Sequence, residues 1–255
     1  MSNRVNYCIA NFKMNIGTQS MLSEYFNELT FWKISDNKNI KIVVAPPFTI
    51  LRSASKILSN HQLKIEIASQ NVNDNNSGAF TGEVSAEMIK DCMVNYTIVG
   101  HSERRTLYKE TNNQINSKIL KLKNYDINPI ICIGETLEER SSNKTDQILI
   151  NQITEGLKTI NDSNFVIAYE PVWAIGTGKT ATSDMITDTH MLIRNILNDI
   201  GFDGQKISIL YGGSVNRNNA KQLISLNDVD GFLIGGASLD ANHFYDIYKF
   251  IEESI

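Results

Sequence analysis

Phe165-Val166-Ile167-Ala168-Tyr169 is followed directly by Glu170-Pro171-Val172-Trp173. The five apolar residues do not alternate with polar ones, as they would in a strand that is wet on one face. The run therefore predicts a short strand covered on both faces, of the kind found in parallel sheets. A carboxylate and a proline then end the strand, so a titratable group lies just beyond its carboxyl end.

The same pattern of a short apolar run followed by a helix-like stretch recurs along the whole chain. The predicted strands are Tyr7–Ala10, Ile40–Ala45, Ile65–Ala68, Tyr96–Val99, Pro129–Ile133, Phe165–Tyr169, Ile207–Leu210 and Phe232–Ile234. The predicted helices are Ser20–Thr30, Thr49–Ser59, Ser85–Cys92, Asn112–Asn124, Thr145–Ile160, Ser183–Ile200, Asn218–Leu226 and Asp240–Glu253. For the helix that follows Phe165–Tyr169, Ser183 is the expected N-cap and Gly201 the expected C-cap glycine.

Eight strand-plus-helix units in a chain of this length predict a closed (β/α)8 barrel of the α/β class. A doubly wound open sheet is the competing architecture. The units continue evenly to the C-terminus with no linker or composition break, which favours the barrel. We expect a single domain over residues 1–255.

The composition limits which binding partners and which cellular compartment we expect for this protein. The 255 residues carry 24 Lys and Arg against 28 Asp and Glu, so a broad basic face for nucleic acid or an anionic membrane is not expected. The three cysteines, Cys8, Cys92 and Cys132, are odd in number and lack the spacing of a metal or redox motif. With neither a signal-peptide pattern nor a long apolar run, we expect a cytoplasmic protein with free thiols.

Three groups with complementary chemistry follow predicted strands. Glu170 could abstract a proton from carbon, His101 could polarise a carbonyl, and Lys13 could offset the charge of an enediolate. Each residue alone has an ordinary explanation, as a helix cap, a core histidine or a solvated lysine. Because the catalytic residues of a barrel lie at the carboxyl ends of its strands, their shared position predicts one site.

Glycine-rich turns follow the last two predicted strands. Gly212-Gly213-Ser214 and Gly235-Gly236 leave main-chain N–H groups unshielded by side chains. If a helical turn begins at each glycine pair, those N–H donors form an anion-binding site. Barrels often bind phosphate at this place.

The segment that begins beside Glu170 is predicted to be a mobile lid. It comprises Pro171, Val172, Trp173, Ala174, Ile175, Gly176, Thr177, Gly178, Lys179, Thr180 and Ala181. An enediolate next to a phosphate ester tends to lose phosphate when water has access, and a closing loop suppresses that side reaction. An ordinary glycine-rich surface loop is the alternative.

Several segments together resemble the triosephosphate isomerase family over nearly the whole chain. They are Asn11–Asn15, Gly78–Glu83, Gly100–Arg105, Cys132–Glu135, Ala168–Lys179, Tyr211–Ser214 and Gly235–Leu239. The resemblance implies a TIM barrel that interconverts dihydroxyacetone phosphate and D-glyceraldehyde 3-phosphate through an enediolate, in glycolysis and gluconeogenesis. It implies no cofactor and no metal ion.

The resemblance also assigns roles to residues. Glu170 is similar to the family's base, His101 to its neutral electrophile, and Lys13 with Asn11 to its charge-stabilising and substrate-binding pair. A helix beginning at Ser102 would lower the pKa of His101. Phosphate-binding positions are implied at Gly176, Ser214, Gly235 and Gly236, and a supporting role at Glu103. The loop Gln70–Glu83 resembles the family's dimer loop, with its tip near Thr81 in contact with a partner, so a homodimer is expected.

Two alternatives remain at this point. Another phosphate-binding barrel, such as a sugar-phosphate epimerase or an aldolase, would want metal ligands at several strand ends or a lysine inside the barrel. Of the four histidines, only His101 follows a strand, and strand six ends in Glu170 instead of a lysine. A non-catalytic barrel would be expected to lack Lys13, His101 or Glu170, and all three are present.

Overall fold

The computed structural model describes residues 4–175 and 181–255. Its eight strands form a closed barrel in chain order, with every neighbouring pair parallel. The strands are β1 (Asn6–Asn11), β2 (Ile40–Ala45), β3 (Ile65–Ser69), β4 (Tyr96–Val99), β5 (Asn128–Ile133), β6 (Val166–Tyr169), β7 (Ile209–Tyr211) and β8 (Gly231–Ile234). The predicted (β/α)8 barrel is confirmed, and the open sheet is excluded. That residues 1–255 form one domain stays a prediction.

The strands are covered on both faces, which explains the absence of polar alternation. In β1, Tyr7 and Ile9 belong to the barrel interior, whereas Cys8 and Ala10 pack in the layer between strands and helices. Successive side chains of a strand point to opposite faces, so one short strand contributes to both cores. Each of these four residues is buried.

Helices surround the barrel. They are α1 (Gln19–Leu29), α2 (Leu51–Asn60), α3 (Ala86–Asp91), α4 (Ser102–Leu107), α5 (Asn112–Lys123), α6 (Leu137–Ser141), α7 (Thr145–Gly156), α8 (Ser183–Asp199), α9 (Ala220–Ile224) and α10 (Ala241–Glu253). Helix α6 was missed by the sequence analysis because it is a single short turn in which Leu137 is the one apolar residue. Its N-terminus is nevertheless marked by a capping box between Thr136 and Glu139.

The ends of α8 test the capping predictions. The predicted N-cap at Ser183 is wrong: Thr182 caps the helix, and its side chain accepts the N–H of Met185. Thr182 adopts the extended backbone of an N-cap, whereas Ser183 is already helical. The C-cap glycine is confirmed. Gly201 has a φ of +94°, and the N–H groups of Gly201 and Phe202 return to the carbonyls of Asn198 and Leu197, as in a Schellman motif.

Parallel strands place all their carboxyl ends at one rim of the barrel. Each predicted site segment that follows a strand therefore begins at that rim. Within residues 4–175 and 181–255, no helix combines the length and apolar character that a bilayer crossing requires.

Candidate active site

A cavity of about 510 Å³ lies at the carboxyl rim of the barrel. It is lined by residues from several strand ends, among them Asn11, Lys13, His101, Glu170, Gly212, Gly213, Ser214, Gly235 and Gly236. The structure thus brings together the three proposed chemical groups and both glycine turns, although they are far apart in the chain. Gly176, the fourth proposed phosphate position, lies outside the described residues.

Glu170 follows β6 and is almost fully buried, with 2% of its surface exposed. The backbone N–H of Ser102 donates to its Oε2 at 2.9 Å. Its Oε1 lies 2.9 Å from Nε2 of His101. Burial raises the pKa of Glu170, but the adjacent His101, these hydrogen bonds and Lys13 lower it, and the net pKa lies below the ordinary glutamate value. In this arrangement the carboxylate is ionised.

The backbone of Glu170 packs against Gly134, at the end of β5. A Cβ added at Gly134 would lie 1.8 Å from the carbonyl oxygen of Glu170. No side chain fits at this distance. The glycine therefore allows β5 and the start of the loop after β6 to approach closely, and this contact fixes where the carboxylate emerges.

His101 follows β4 and is the N-cap of α4, as expected for a helix beginning at Ser102. The N–H of Glu103 donates to its Nδ1 at 3.2 Å. A ring nitrogen that accepts a hydrogen bond carries no proton, so the proton of the neutral ring is on Nε2, facing Glu170.

The net pKa shift of His101 differs from the expected lowering. Burial lowers the pKa of His101, as does Lys13, but the carboxylates of Glu170 and Glu103 raise it, and the net pKa is above the ordinary value. The reason is the carboxylate of Glu170, 2.9 Å away, which favours the charged ring. The raised pKa thus belongs to the arrangement in which Glu170 contacts the ring.

Lys13 extends from a strained backbone into the cavity. Its φ is +51°, in the left-handed region that residues with a side chain seldom adopt. The Nε2 of Gln70 donates to the Lys13 carbonyl at 2.9 Å, and the Lys13 N–H donates to Oδ1 of Asn11 at 3.0 Å. A Cβ at Gly235 would lie 3.3 Å from Cε of Lys13, so the glycine leaves room for the lysine stem. Its Nζ pairs with Glu103 at 2.7 Å.

The end of the cavity that is predicted to bind phosphate is formed by the loops after β7 and β8. Ser214 donates its hydroxyl to the carbonyl of Ala174 at 2.6 Å. Gly236 is the first residue of a 3₁₀ turn that ends at Leu239. The first N–H groups of a helical turn have no partner within the turn, so they are free to meet an anion.

A buried carboxylate beneath the start of the predicted lid had no role in the sequence analysis. Glu135 is fully buried, and its Oε1 accepts from Tyr169 at 3.1 Å, Trp173 at 3.0 Å and Arg140 at 2.9 Å. A charged residue directly after Gly134 was the only signal in the sequence. This network anchors Val172–Ala174, which form a 3₁₀ turn. Of the remaining lid residues, Gly176, Thr177, Gly178, Lys179 and Thr180 lie outside the described residues.

A second residue missed by the sequence analysis is His243 of α10, which lines the cavity together with Ser214 and Gly236. It does not follow a strand directly, so the strand-end rule did not select it. No cluster of three or more His, Cys, Asp or Glu side chains suited to a metal ion occurs in the described part of the chain.

The chain is similar to known proteins over nearly its whole length. A family model described as triosephosphate isomerase matches residues 6–251. A triosephosphate isomerase of Fusobacterium nucleatum is 48% identical over 219 residues, which cover 84% of this chain and 86% of the relative. That of Debaryomyces hansenii is 46% identical over 242 residues, which cover 94% of this chain and 95% of the relative. That of Chlamydia muridarum is 41% identical over 251 residues, covering 97% and 92%.

Proposed function

Since the chain belongs to the triosephosphate isomerase family, we propose that Glu170, His101 and Lys13 carry out the reaction of that family. The chain is an isomerase that interconverts dihydroxyacetone phosphate and D-glyceraldehyde 3-phosphate, a step of glycolysis. The epimerase, aldolase and non-catalytic alternatives find no support in the family match. The observation that carries the assignment of roles is the meeting of the three groups in one cavity, with Glu170 and His101 2.9 Å apart.

In the proposed mechanism, the Glu170 carboxylate takes a proton from C1 of the ketose. The electron pair of that C–H bond forms an enediolate, and the same carboxyl returns the proton to C2. His101 donates from Nε2 to one substrate oxygen and recovers a proton from the other, so no proton is consumed over the cycle. The backbone donor at Nδ1 leaves the proton of the neutral ring on Nε2, which lies 2.9 Å from Oε1 of Glu170, so the proposed acid and base are adjacent.

Lys13 is proposed to stabilise the negative charge that develops on the enediolate oxygens. It pairs with Glu103 at 2.7 Å, and both side chains are partly exposed. An anionic substrate competes with Glu103 for the ammonium group. Asn11 supports this role by holding the Lys13 backbone. We propose that main-chain groups at Ser214, Gly235 and Gly236, with Gly176, bind the phosphate.

The roles are tested by comparing turnover with binding. In Glu170→Asp the carboxylate is withdrawn by one methylene, and we expect kcat to fall on the order of a hundredfold. Binding of a phosphate-bearing inhibitor should change far less, because the phosphate contacts are untouched. His101→Gln should separate turnover from binding in the same way. The matched control is Glu138→Asp, an exposed residue of α6, which should behave like the unaltered enzyme.

Two results would contradict the assignment. An equal loss of turnover and inhibitor binding in Glu170→Asp would place Glu170 in binding rather than in proton transfer. Normal kcat in His101→Gln would remove the electrophile role. Turnover is measured in a coupled assay of triose interconversion, and binding is measured as the inhibition constant of the phosphate-bearing inhibitor.

We also propose a homodimer in which the loop Gln70–Glu83 contacts the partner near Thr81. Two exposed apolar side chains support it: Phe80 of this loop is 44% exposed next to Thr81, and Met14, directly after Lys13, is 96% exposed. Such side chains are typical of a contact surface. Since Gln70 holds the Lys13 backbone, the dimer loop and the site are joined.

Analytical ultracentrifugation tests the dimer. Thr81→Arg should yield monomers with an unchanged far-ultraviolet spectrum and reduced activity, and Lys206→Arg, at an exposed position, serves as the control. A wild-type protein that sediments as a monomer at micromolar concentration would contradict the proposal. We further propose a cytoplasmic location, because the three cysteines are free thiols.

A further inference from the structure

We propose that His243 is a positioning residue for phosphate binding, because its neutral imidazole ties the loop after β7 to the helix after β8. The inference rests on the proposed function, since it assumes that these two loops hold the phosphate. The proposed tie is the hydrogen bond from the backbone N–H of Arg217 to Nε2 of His243, at 2.8 Å.

The position of His243 is fixed from its own side. It is the third residue of α10, and its backbone N–H donates to Oδ1 of the N-cap Asp240 at 2.7 Å. Helix α10 follows almost directly on the 3₁₀ turn Gly236–Leu239. That turn begins at the glycine pair after β8. The position of the His243 ring is therefore coupled to the loop after β8, which forms one side of the proposed phosphate site.

The donor of this hydrogen bond, the N–H of Arg217, lies in the loop after β7. Asn219 donates from Nδ2 to the carbonyl of Ser214 at 2.9 Å and accepts the N–H of Asn216 on Oδ1 at 2.8 Å. These two bonds hold the loop from Ser214 to Asn219 as a unit. A bond to Arg217, within that unit, therefore positions Ser214 relative to Gly236 although His243 contacts neither residue through it.

The tie requires a neutral ring, because Nε2 must accept. The charged groups that face His243 are Arg217, Asp240 and Asp246, and Arg217 itself pairs with Asp246 at 3.3 Å. Burial and Arg217 lower the pKa of His243, whereas Asp240 and Asp246 raise it, and the net pKa lies below the ordinary value. At neutral pH the ring is therefore neutral, with its proton on Nδ1.

The position of the ring on the cavity wall gives the tie a functional consequence. His243 lines the cavity together with Ser214, Asn216, Gly236 and Ala237. Loss of the tie should loosen the phosphate end without moving Glu170, His101 or Lys13, which lie on other strands. The expected signature is weaker binding of the phosphate with nearly unchanged turnover.

The experiment compares two substitutions at pH 8, where the ring is neutral. His243→Phe keeps a ring but has no acceptor, and His243→Gln places an amide oxygen that can accept from Arg217. We expect His243→Phe to raise KM for glyceraldehyde 3-phosphate and the inhibition constant of inorganic sulfate about three- to tenfold, the effect of one exposed hydrogen bond. Its kcat should change by less than about twofold. His243→Gln should restore both constants to near the wild-type values.

A third variant separates the hydrogen bond from charge. Arg217→Gln removes the guanidinium but keeps the backbone N–H, so it should raise KM less than His243→Phe does. A larger effect of Arg217→Gln, or a loss of kcat equal to the change in KM in His243→Phe, would overturn the proposal. So would a His243→Gln variant as impaired as His243→Phe.

The sulfate measurement distinguishes this proposal from the proposed function. If sulfate competes with the substrate equally well in the wild type, His243→Phe and His243→Gln, His243 has no positioning role and the phosphate site stands. If sulfate fails to compete in the wild type, the phosphate site is misassigned and the role of His243 falls with it.

Discussion

The buried His190 should make the protein lose stability in mild acid, and substitution of this residue should remove that loss. His190 lies on α8 and has no exposed surface. Its Nδ1 donates to the carbonyl of Asp228 at 2.9 Å, and its Nε2 has no hydrogen-bond partner in the described part of the chain. Arg194 lies nearby and Tyr169 packs edge-on at 5.9 Å. Protonation would therefore bury a cation without a compensating partner.

The size of the effect follows from the pKa. Burial, with a smaller contribution from Arg194, lowers the pKa of His190 from 6.5 to about 4. At 1.36 kcal/mol per pH unit, this difference corresponds to roughly 3 kcal/mol when the shift is fully expressed. The unfolded chain binds the proton below pH 6.5 and the folded chain only near pH 4, so the stability is present above the first value and lost as pH falls towards the second.

The assay is urea unfolding of the wild type and His190→Asn at one protein concentration and several pH values. Asparagine keeps a donor near Nδ1 but has no group that titrates in this range. The variant loses packing at every pH, so its curve is lower at pH 7. Between pH 7 and pH 5 the gap should narrow by about 2 kcal/mol, because other titrating groups contribute equally to both proteins. Parallel curves over this range would refute the reasoning.

Three further predictions concern the site and its support. Glu170→Gln should lower the pKa of His101, since burial remains while the carboxylate that raises the pKa is gone; an unchanged or higher pKa by NMR would contradict this. Gly134→Ala should lower kcat on the order of a hundredfold while the protein stays folded by circular dichroism, because the added Cβ displaces Glu170; wild-type kcat would show that the strand end adapts. Arg194→Met should cost about 3 to 5 kcal/mol of unfolding free energy, because Asp230 keeps Arg4 but loses its buried partner Arg194, and the buried carbonyls of Gly204 and Ile207 lose their donor, whereas Lys206→Met at an exposed pair should cost far less; equal losses in the two variants would argue against the buried pair.

The fold was predictable because its signal is local. A strand covered on both faces reads as a short apolar run, and the boundaries of β2 and β4 agree with the prediction to the residue. Helix boundaries were less accurate, since they depend on caps that neighbouring polar residues can supply equally well. The predicted helix Thr145–Ile160 ends at Gly156, and Thr182 replaced Ser183 as a cap.

The candidate site was predictable where the position of a residue after a strand was enough. Glu170, His101 and Lys13 follow β6, β4 and β1, and the barrel brings those ends together whatever lies between them. Contacts between residues far apart in the chain were not predictable. The packing of Gly134 on Glu170, the burial of Glu135 and the bond from Arg217 to His243 depend on strand register and helix orientation. No pattern in the sequence encodes these distances.

The contact between Glu170 and His101 links substrate binding to the proposed chemistry. Glu170 is held by His101 and by the Ser102 N–H, so these partners lower its pKa, and the same carboxylate raises the pKa of His101. In the proposed mechanism a substrate oxygen takes the place of the carboxylate at Nε2, so Glu170 loses the His101 donor that stabilises its ionised form and becomes a stronger base. His101 loses the charge that favours protonation, while burial and the Glu103 N–H remain and keep the ring neutral. In the proposed mechanism, one exchange of partners therefore shifts both groups towards the states that proton transfer requires.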